Sequence, residues 1–288
     1  MNQNFSTHTK TLKLASWLGW KMESNWADWW IFAVYSVVRP LASSMILVVM
    51  YWVIAKSGNA QASGSYNLTF MYLGNAFFMF VGNVLYGVAW TIHEDREHYQ
   101  MLKYIFISPA KMYFYLFGRG TAKLFITVFA VIATIAFGML VLKIPIDLSA
   151  VNYPMLVLVT GIGLLGIAAL GVILAAVSMV TAHHSFYLTE GVAGLFFLVS
   201  GAIFPIEVLP GWLQKISLIN PLTYWIELAR RYITGEKMCQ VLSSISNLEL
   251  FFILTLSTLI LVYLSVIIYR FFEHLAVQRG LIDRLTNF

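Results

Sequence analysis

Six stretches of this chain, at about 35–55, 67–91, 116–142, 154–181, 187–206 and 249–271, are predominantly apolar and bounded by charge, glycine or proline. A bilayer's hydrocarbon core is about 30 Å thick and a crossing helix needs roughly 20 apolar residues, so each run is long enough to span. With 60% of its 288 residues hydrophobic, 11% charged and a mean hydropathy of +0.78, the chain has lipid as its main solvent. It reads as an all-α integral membrane protein with six transmembrane helices and no room for a large soluble domain.

The N-terminal stretch has no uninterrupted apolar core followed by a small-residue cleavage site, so it is read as part of the mature chain. The net charge of +5 comes from cations scattered at helix ends rather than from a basic run, which argues against a nucleic-acid partner. An even number of crossings places both termini on one side. Lys10, Lys13, Lys21, Arg96, Lys103, Lys111, Arg119, Arg270, Arg279 and Arg284 flank that side, which makes it cytoplasmic in a multi-pass protein of the cytoplasmic (inner) membrane. Lys215, Arg230, Arg231 and Lys237, within 207–248, break the rule by falling outside. The single cysteine, Cys239, has no intramolecular disulfide partner and reads as a packing residue.

Residues 10–34 read as an interfacial helix. Leu14, Leu18 and Met22 lie four apart, opposite Lys10, Lys13, Lys21 and Glu23, and Trp17, Trp20, Trp26, Trp29 and Trp30 would anchor the segment at the headgroups. Arg39-Pro40 then begins the first span, with proline in the first turn and the arginine snorkelling outward; a substrate ligand deep in the bilayer is the alternative for Arg39. Between the second and third runs, Thr91 and Glu94 have capping-box spacing, and Glu94, Asp95 and Glu97 would sit at the positive end of a helix over about 92–108. Met101, Leu102, Ile105 and Phe106 give that helix an apolar stripe, Ser108-Pro109 stops it, and it faces the cytosol.

Pro205 and Pro210 interrupt the fifth run, yet Trp212, Leu213, Ile216 and Leu218 after them are too apolar for a free loop. A broken helix re-entering the outer leaflet over about 207–235 accommodates both. Asn220-Pro221 makes its turn, and Glu227 has helical salt-bridge spacing to Arg230 and Arg231, a structural rather than catalytic pair.

These segments carry a family pattern. Glu94-x-Arg96-Glu97, Ser108-Pro109 and Gly118-Arg119 to Lys123 resemble the cytoplasmic segment of ABC type-2 exporter permeases, with His98-Tyr99 in place of the usual glycine after Glu97. Ser200-Gly201, Phe204-Pro205, Leu209-Pro210, Asn220-Pro221-Leu222-Thr223-Tyr224, Glu227 and Arg230 reproduce the order such permeases carry before the last span. The resemblance covers essentially the whole chain. It implies a coupling helix holding Glu94, Asp95, Arg96, Glu97, Ser108 and Pro109 in a cleft of a separate ABC ATPase, and a homodimer or a pair with a paralogous permease. The chain itself would need no cofactor, because ATP and Mg would be bound by the partner ATPase. No Gly-x-x-x-x-Gly-Lys-Ser/Thr loop occurs in the sequence.

Other motifs have plainer explanations. Gly161-x-Gly163-x-x-Gly166 has dinucleotide-loop spacing but lies inside an apolar span, where it serves helix packing with Gly171 and Ala175. His183-His184, His93 and His98 lack the companions of a zinc site, and Ser200-Gly201 lacks the preceding glycine of a rhomboid nucleophile. Asn75, Asn83 and Glu190 are the polar groups within spans that could line a substrate path, with interhelical hydrogen bonding or interface placement as the simpler reading. A six-helix channel, a secondary carrier and an assembly subunit are the competing functions. Only one interrupted helix is present where a carrier would more typically show matched pairs. A drug, lipid, glycolipid or lipid-linked polysaccharide would each suit the aromatic-rich spans.

Overall fold

A computed structural model describes residues 2–25, 28–56, 68–181 and 185–282, and every regular element among them is helical. In chain order these are α1 (Asn2–Ser24), α2 (Trp29–Lys56), α3 (Leu68–His98), α4 (Leu102–Ile107), α5 (Met112–Leu140), α6 (Tyr153–Val180) and α7 (Ser185–Val199). A 3-10 turn (Ile206–Val208), α8 (Gly211–Ile219), α9 (Pro221–Thr234) and α10 (Asn247–Gln278) complete the chain. Trp26, His183, His184 and Arg284 lie outside the described residues.

Helices α2, α3, α5, α6 and α10 are long and apolar enough to cross a bilayer. The fifth run is shorter than expected. It is helical over 15 residues, about 22 Å, because Gly201 turns the chain with a φ of 67° and Pro205 has no N–H to extend a helix. Its continuation is a hairpin: α8 and α9 meet at Asn220-Pro221, where the Asn220 side chain accepts from Leu222 N at 3.1 Å and so caps α9. The hairpin tip reaches into the bundle. Trp225 of α9 covers Gly163, ten residues inside α6, while the Tyr232 carbonyl accepts from Asn152 N near the start of α6.

Helix α3 is the central strut, with 72% of its apolar window buried against 11% for α2 and 17% for α10. A Cβ on Gly163 would stand 2.3 Å from the Trp225 ring, and one on Gly171 2.8 Å from Val88 of α3, so small residues on α6 set how closely its neighbours approach. Gly166 faces Thr258 of α10, but Gly161 faces open space and packs against nothing.

Two N-terminal expectations change. Helix α1 lies along α5 through small residues four apart, Thr11, Ala15 and Gly19. A Cβ on Gly118 would come within 2.6 Å of Ala15, and one on Gly19 within 2.9 Å of the Arg119 carbonyl. Leu14 and Trp17 are therefore turned outward, 67% and 61% exposed, while Leu18 and Met22 are half-buried. α1 ends at Ser24, so residues 29–34, Trp29 and Trp30 among them, open the first span rather than extend the interfacial helix. Pro40 is not in a first turn either: α2 begins at Trp29 and continues through it, leaving the Ser36 carbonyl without the amide donor a non-proline residue would supply. Ala15, Leu102, Met112 and Ala276 share one buried cluster, which places α1, α4 and the end of α10 together at what we call the lower end. The α8–α9 hairpin marks the upper end.

Candidate functional site

At the lower end the expected helix over 92–108 is two pieces. The second span does not stop at Thr91, because the Thr91 hydroxyl donates to the Gly87 carbonyl at 2.7 Å instead of capping, and α3 runs on to His98 through a π-helical segment, Glu94–His98. Gln100, with a φ of 51°, then reverses the chain into α4. Ser108 closes α4, its hydroxyl donating to the Ile105 carbonyl at 2.7 Å and accepting from Ala110 N at 3.2 Å.

The charges of this segment point into the protein rather than to solvent, with Glu94 the most exposed of them at 29%. Asp95 is fully buried and accepts from the Tyr115 hydroxyl at 2.8 Å. Arg119 of α5 pairs with Glu94 at 2.9 Å, reaches Asp95 at 3.6 Å and touches the Met22 sulfur of α1. Arg96 pairs with Glu97 at 2.9 Å and donates to the Ser178 and Met179 carbonyls at the end of α6, at 3.4 and 3.5 Å. The π turn explains this. A wider turn places consecutive side chains where α-helical spacing would not, so charged residues in a row can be held by α5, by α6 and by one another. What faces outward is the following stretch: Tyr99, Tyr104 and Ile107 are 41%, 61% and 81% exposed, beside exposed Lys103, Pro109 and Lys111.

The upper end carries a second ionic knot. Arg231 pairs with Glu227 at 2.9 Å and donates to the Leu242 and Ile245 carbonyls and to Asn247 Oδ1, at 2.7, 3.0 and 3.0 Å. Arg230 sits 4.0 Å from Glu227, donates to the Gly201 and Ala202 carbonyls at 2.9 and 2.6 Å, and lies 3.6 Å above the Phe70 ring. Ser200, Gly201, Pro205 and Asn220 are buried around it, and the Tyr224 hydroxyl donates to the Leu218 carbonyl across the hairpin; Pro210, just before α8, is exposed. Because Arg230 and Arg231 are internal, Lys215 and Lys237 are the cations of 207–248 that remain exposed.

The polar span residues separate. Asn75 donates to the Ser44 hydroxyl of α2 at 3.0 Å, an interhelical bond. Asn83, eight residues on, is exposed, since the π-helical segment Val81–Leu85 rotates it away from the face of Asn75. It lines a cleft of about 480 Å³ with Arg39, Tyr35 and Lys123. Glu190 hydrogen-bonds Tyr86 and lines a neighbouring cavity of about 320 Å³ with Arg119 and Glu94.

With both knots placed, comparison with known families becomes informative. The family model described as ABC-2 type transporter matches residues 12–233, three quarters of the chain, from α1 through α9. The chain belongs to the ABC-2 type transporter family. No curated protein matches it. As an ABC-2 permease it is a transporter component spanning the membrane several times, and membership implies an ABC ATPase as partner. Two clusters in this permease do different jobs: the residues at 94–97 tie α3 to α5 and α6, with Arg119 carrying the link on to Met22 of α1, while those at 200–230 tie the hairpin to α3.

Sequence reasoning passed over Arg119 as a bridge and over Glu207, whose carboxylate accepts from Val241 N at 2.8 Å and from the Cys239 thiol at 3.6 Å. Burial, with Glu227 and Glu207 nearby, pushes that thiol up to about 12. Cys239 is 3% exposed and stays protonated at pH 8, so a maleimide should label it negligibly in the folded permease and fully after denaturation. Fast labelling of the native protein would contradict this packing.

Proposed function

We propose that this chain is the membrane subunit of an ATP-driven exporter, moving a hydrophobic or lipid-like cargo outward across the cytoplasmic membrane. Its ATPase is a separate subunit, which binds ATP and Mg, and a second permease completes the transporter. The observation that carries the reading is the exposed surface of residues 99–111 in a chain of this family. Tyr99, Tyr104 and Ile107 stand outside the protomer's core at the lower end, and basic residues accompany them. Exposed apolar side chains at a membrane protein's aqueous end, rimmed by Lys103 and Lys111, suit a protein partner better than water.

On this reading the docking surface is α4 and its flanks, and Glu94, Asp95, Arg96 and Glu97 act behind it. They carry a push on α4 into α3, α5 and α6 through the ion pairs already described. The placement of α1 and of the end of α10 at the lower end, together with exposed Lys10, Lys13 and Lys21 on α1, supports a cytoplasmic placement of that end.

The test is co-purification with a candidate ATPase in nanodiscs, comparing wild type with the double substitution Tyr104→Ala and Ile107→Asp. Each buried apolar side chain at an interface contributes about 1.5–3 kcal/mol, so the variant should bind the ATPase at least about tenfold more weakly. Its own melting temperature should not move, because neither side chain is in the core. An ATPase that binds wild type and variant alike would remove α4 as the docking element, and an ATPase that binds neither would remove the exporter reading.

A further inference from the structure

The two cavities beside α5 share one wall, and that wall is an ion pair. Lys123 Nζ and Glu23 line both the 320 Å³ cavity and the 480 Å³ cleft and pair at 2.5 Å, with 34% and 23% of their side chains exposed. The lower cavity is balanced toward acid: Glu23, Glu94 and Glu190 face Arg119 and Lys123. The upper cleft is the reverse, with Arg39 and Lys123 facing Glu23 alone. Arg39 bonds the Tyr35 hydroxyl at 2.8 Å and stacks on its ring, and among the described residues no carboxylate lies within 4.0 Å of it. The cleft therefore holds an uncompensated positive charge.

Its height is informative. Arg39 and Lys123 each stand 17 residues before the upper ends of their helices, Lys56 and Leu140, which is about 26 Å of helix. A hydrocarbon core is about 30 Å thick, so both cations sit near its lower boundary, at the level of lipid headgroups. Above them the cleft wall turns apolar, with Ile126, Ala130 and Pro40, and Asn83 offers an amide at the rim. A basic cleft between membrane helices at this level is placed to meet a lipid head group.

We propose that this cleft binds the anionic head group of an amphiphile, with Arg39 and Lys123 on the head and the apolar wall along its first chain carbons. Glu23 is the resident counter-ion. An incoming phosphate or carboxylate displaces it from Lys123, which opens the shared wall between the two cavities. The volume of the cleft fits one head group with its adjoining carbons. The binding stands independently of the exporter reading; whether the amphiphile is cargo or a resident lipid depends on it.

The experiment uses the full-length permease in nanodiscs of phosphatidylcholine doped with phosphatidylglycerol, with retained lipids counted by native mass spectrometry. Wild type should retain phosphatidylglycerol in preference to phosphatidylcholine. Arg39→Gln should reduce that preference about fivefold or more, whereas Arg270→Gln, an exposed cation on α10, should not. Glu23→Gln should move the other way and raise retention up to about fivefold by releasing Lys123, a gain that damage to the fold would not produce. No preference in wild type, or an unchanged preference in Arg39→Gln, overturns the site. A second arm adds the ATPase and ATP in vesicles carrying fluorescent phosphatidylglycerol. Movement of the probe to the outer leaflet identifies the bound amphiphile as cargo and its retention identifies a resident lipid, and both sustain the site.

Discussion

Arg230→Ala should leave the permease without a cooperative thermal transition. The Arg230 side chain is 2% exposed, and its loss strands the Gly201 and Ala202 carbonyls, which accept from it at 2.9 and 2.6 Å. A buried polar group left without its partner costs about 1–3 kcal/mol, and the stacking on Phe70 and the volume of the side chain go with it. Breaking a buried ionic network from one side costs about 3–5 kcal/mol, a large part of the 5–15 kcal/mol that holds a typical protein together. Nothing nearby can fill the gap, since the site is walled by Gly74, where even a Cβ would stand 1.9 Å from the Ala202 carbonyl and the Arg230 guanidinium. Arg230→Lys, which keeps the charge but loses the fork, should fall between the two. The measurement is tryptophan-fluorescence melting in detergent; an alanine variant melting within a few degrees of wild type would sink the argument.

The second large effect is at the opposite end. Arg119→Leu removes the cation that faces both Glu94 and Asp95, leaving Asp95 buried with only the Tyr115 hydroxyl to hold its charge. The expected loss is again about 3–5 kcal/mol. Unlike Arg230, this site allows a rescue: Asp95→Asn takes away the stranded charge while keeping the bond from Tyr115. The double variant Arg119→Leu with Asp95→Asn should therefore be more stable than Arg119→Leu alone, with a coupling of about 0.5–3 kcal/mol. Strictly additive melting shifts would mean that Arg119 serves Glu94 and Met22 rather than Asp95.

How far the sequence could be read depends on which physical constraint acted on each residue. Lipid thickness sets the length of a span, so the runs at 116–142 and 154–181 appear as helices within about four residues of their expected bounds, while the helix over 249–271 continues seven residues further, to Gln278. Proline and glycine act through the backbone, so an interrupted fifth run and the turn at Asn220-Pro221 were visible, but the helix expected to about 206 stops at Val199, and Pro40 was placed at a helix start it does not occupy. The charges at 94–97 were misjudged for a different reason. Composition marks such a run as solvated, and only the third dimension brings Arg119, Tyr115 and the carbonyls of Ser178 and Met179 to it. The pairing of Glu23 with Lys123 spans a hundred residues and had no local signal. The one cue within reach was Thr11, Ala15 and Gly19 at spacing of four, which shows that α1 has a face made for another helix.

The upper knot also sets an order of events in synthesis. Its parts come from Phe70 and Gly74, from Gly201 and Ala202, from Glu227 to Arg231, and from Leu242 to Asn247. Chains emerge from the ribosome N-terminal end first, so α3 enters the bilayer long before the arginine that will lock against it has been made. Until then the groove at Gly74 and the ring faces of Phe77 and Phe80, which Trp225 later covers, must be shielded by lipid or by a helper protein. A ribosome stalled after α7 would leave that groove open, and quality control would recognise it as an unfinished interior.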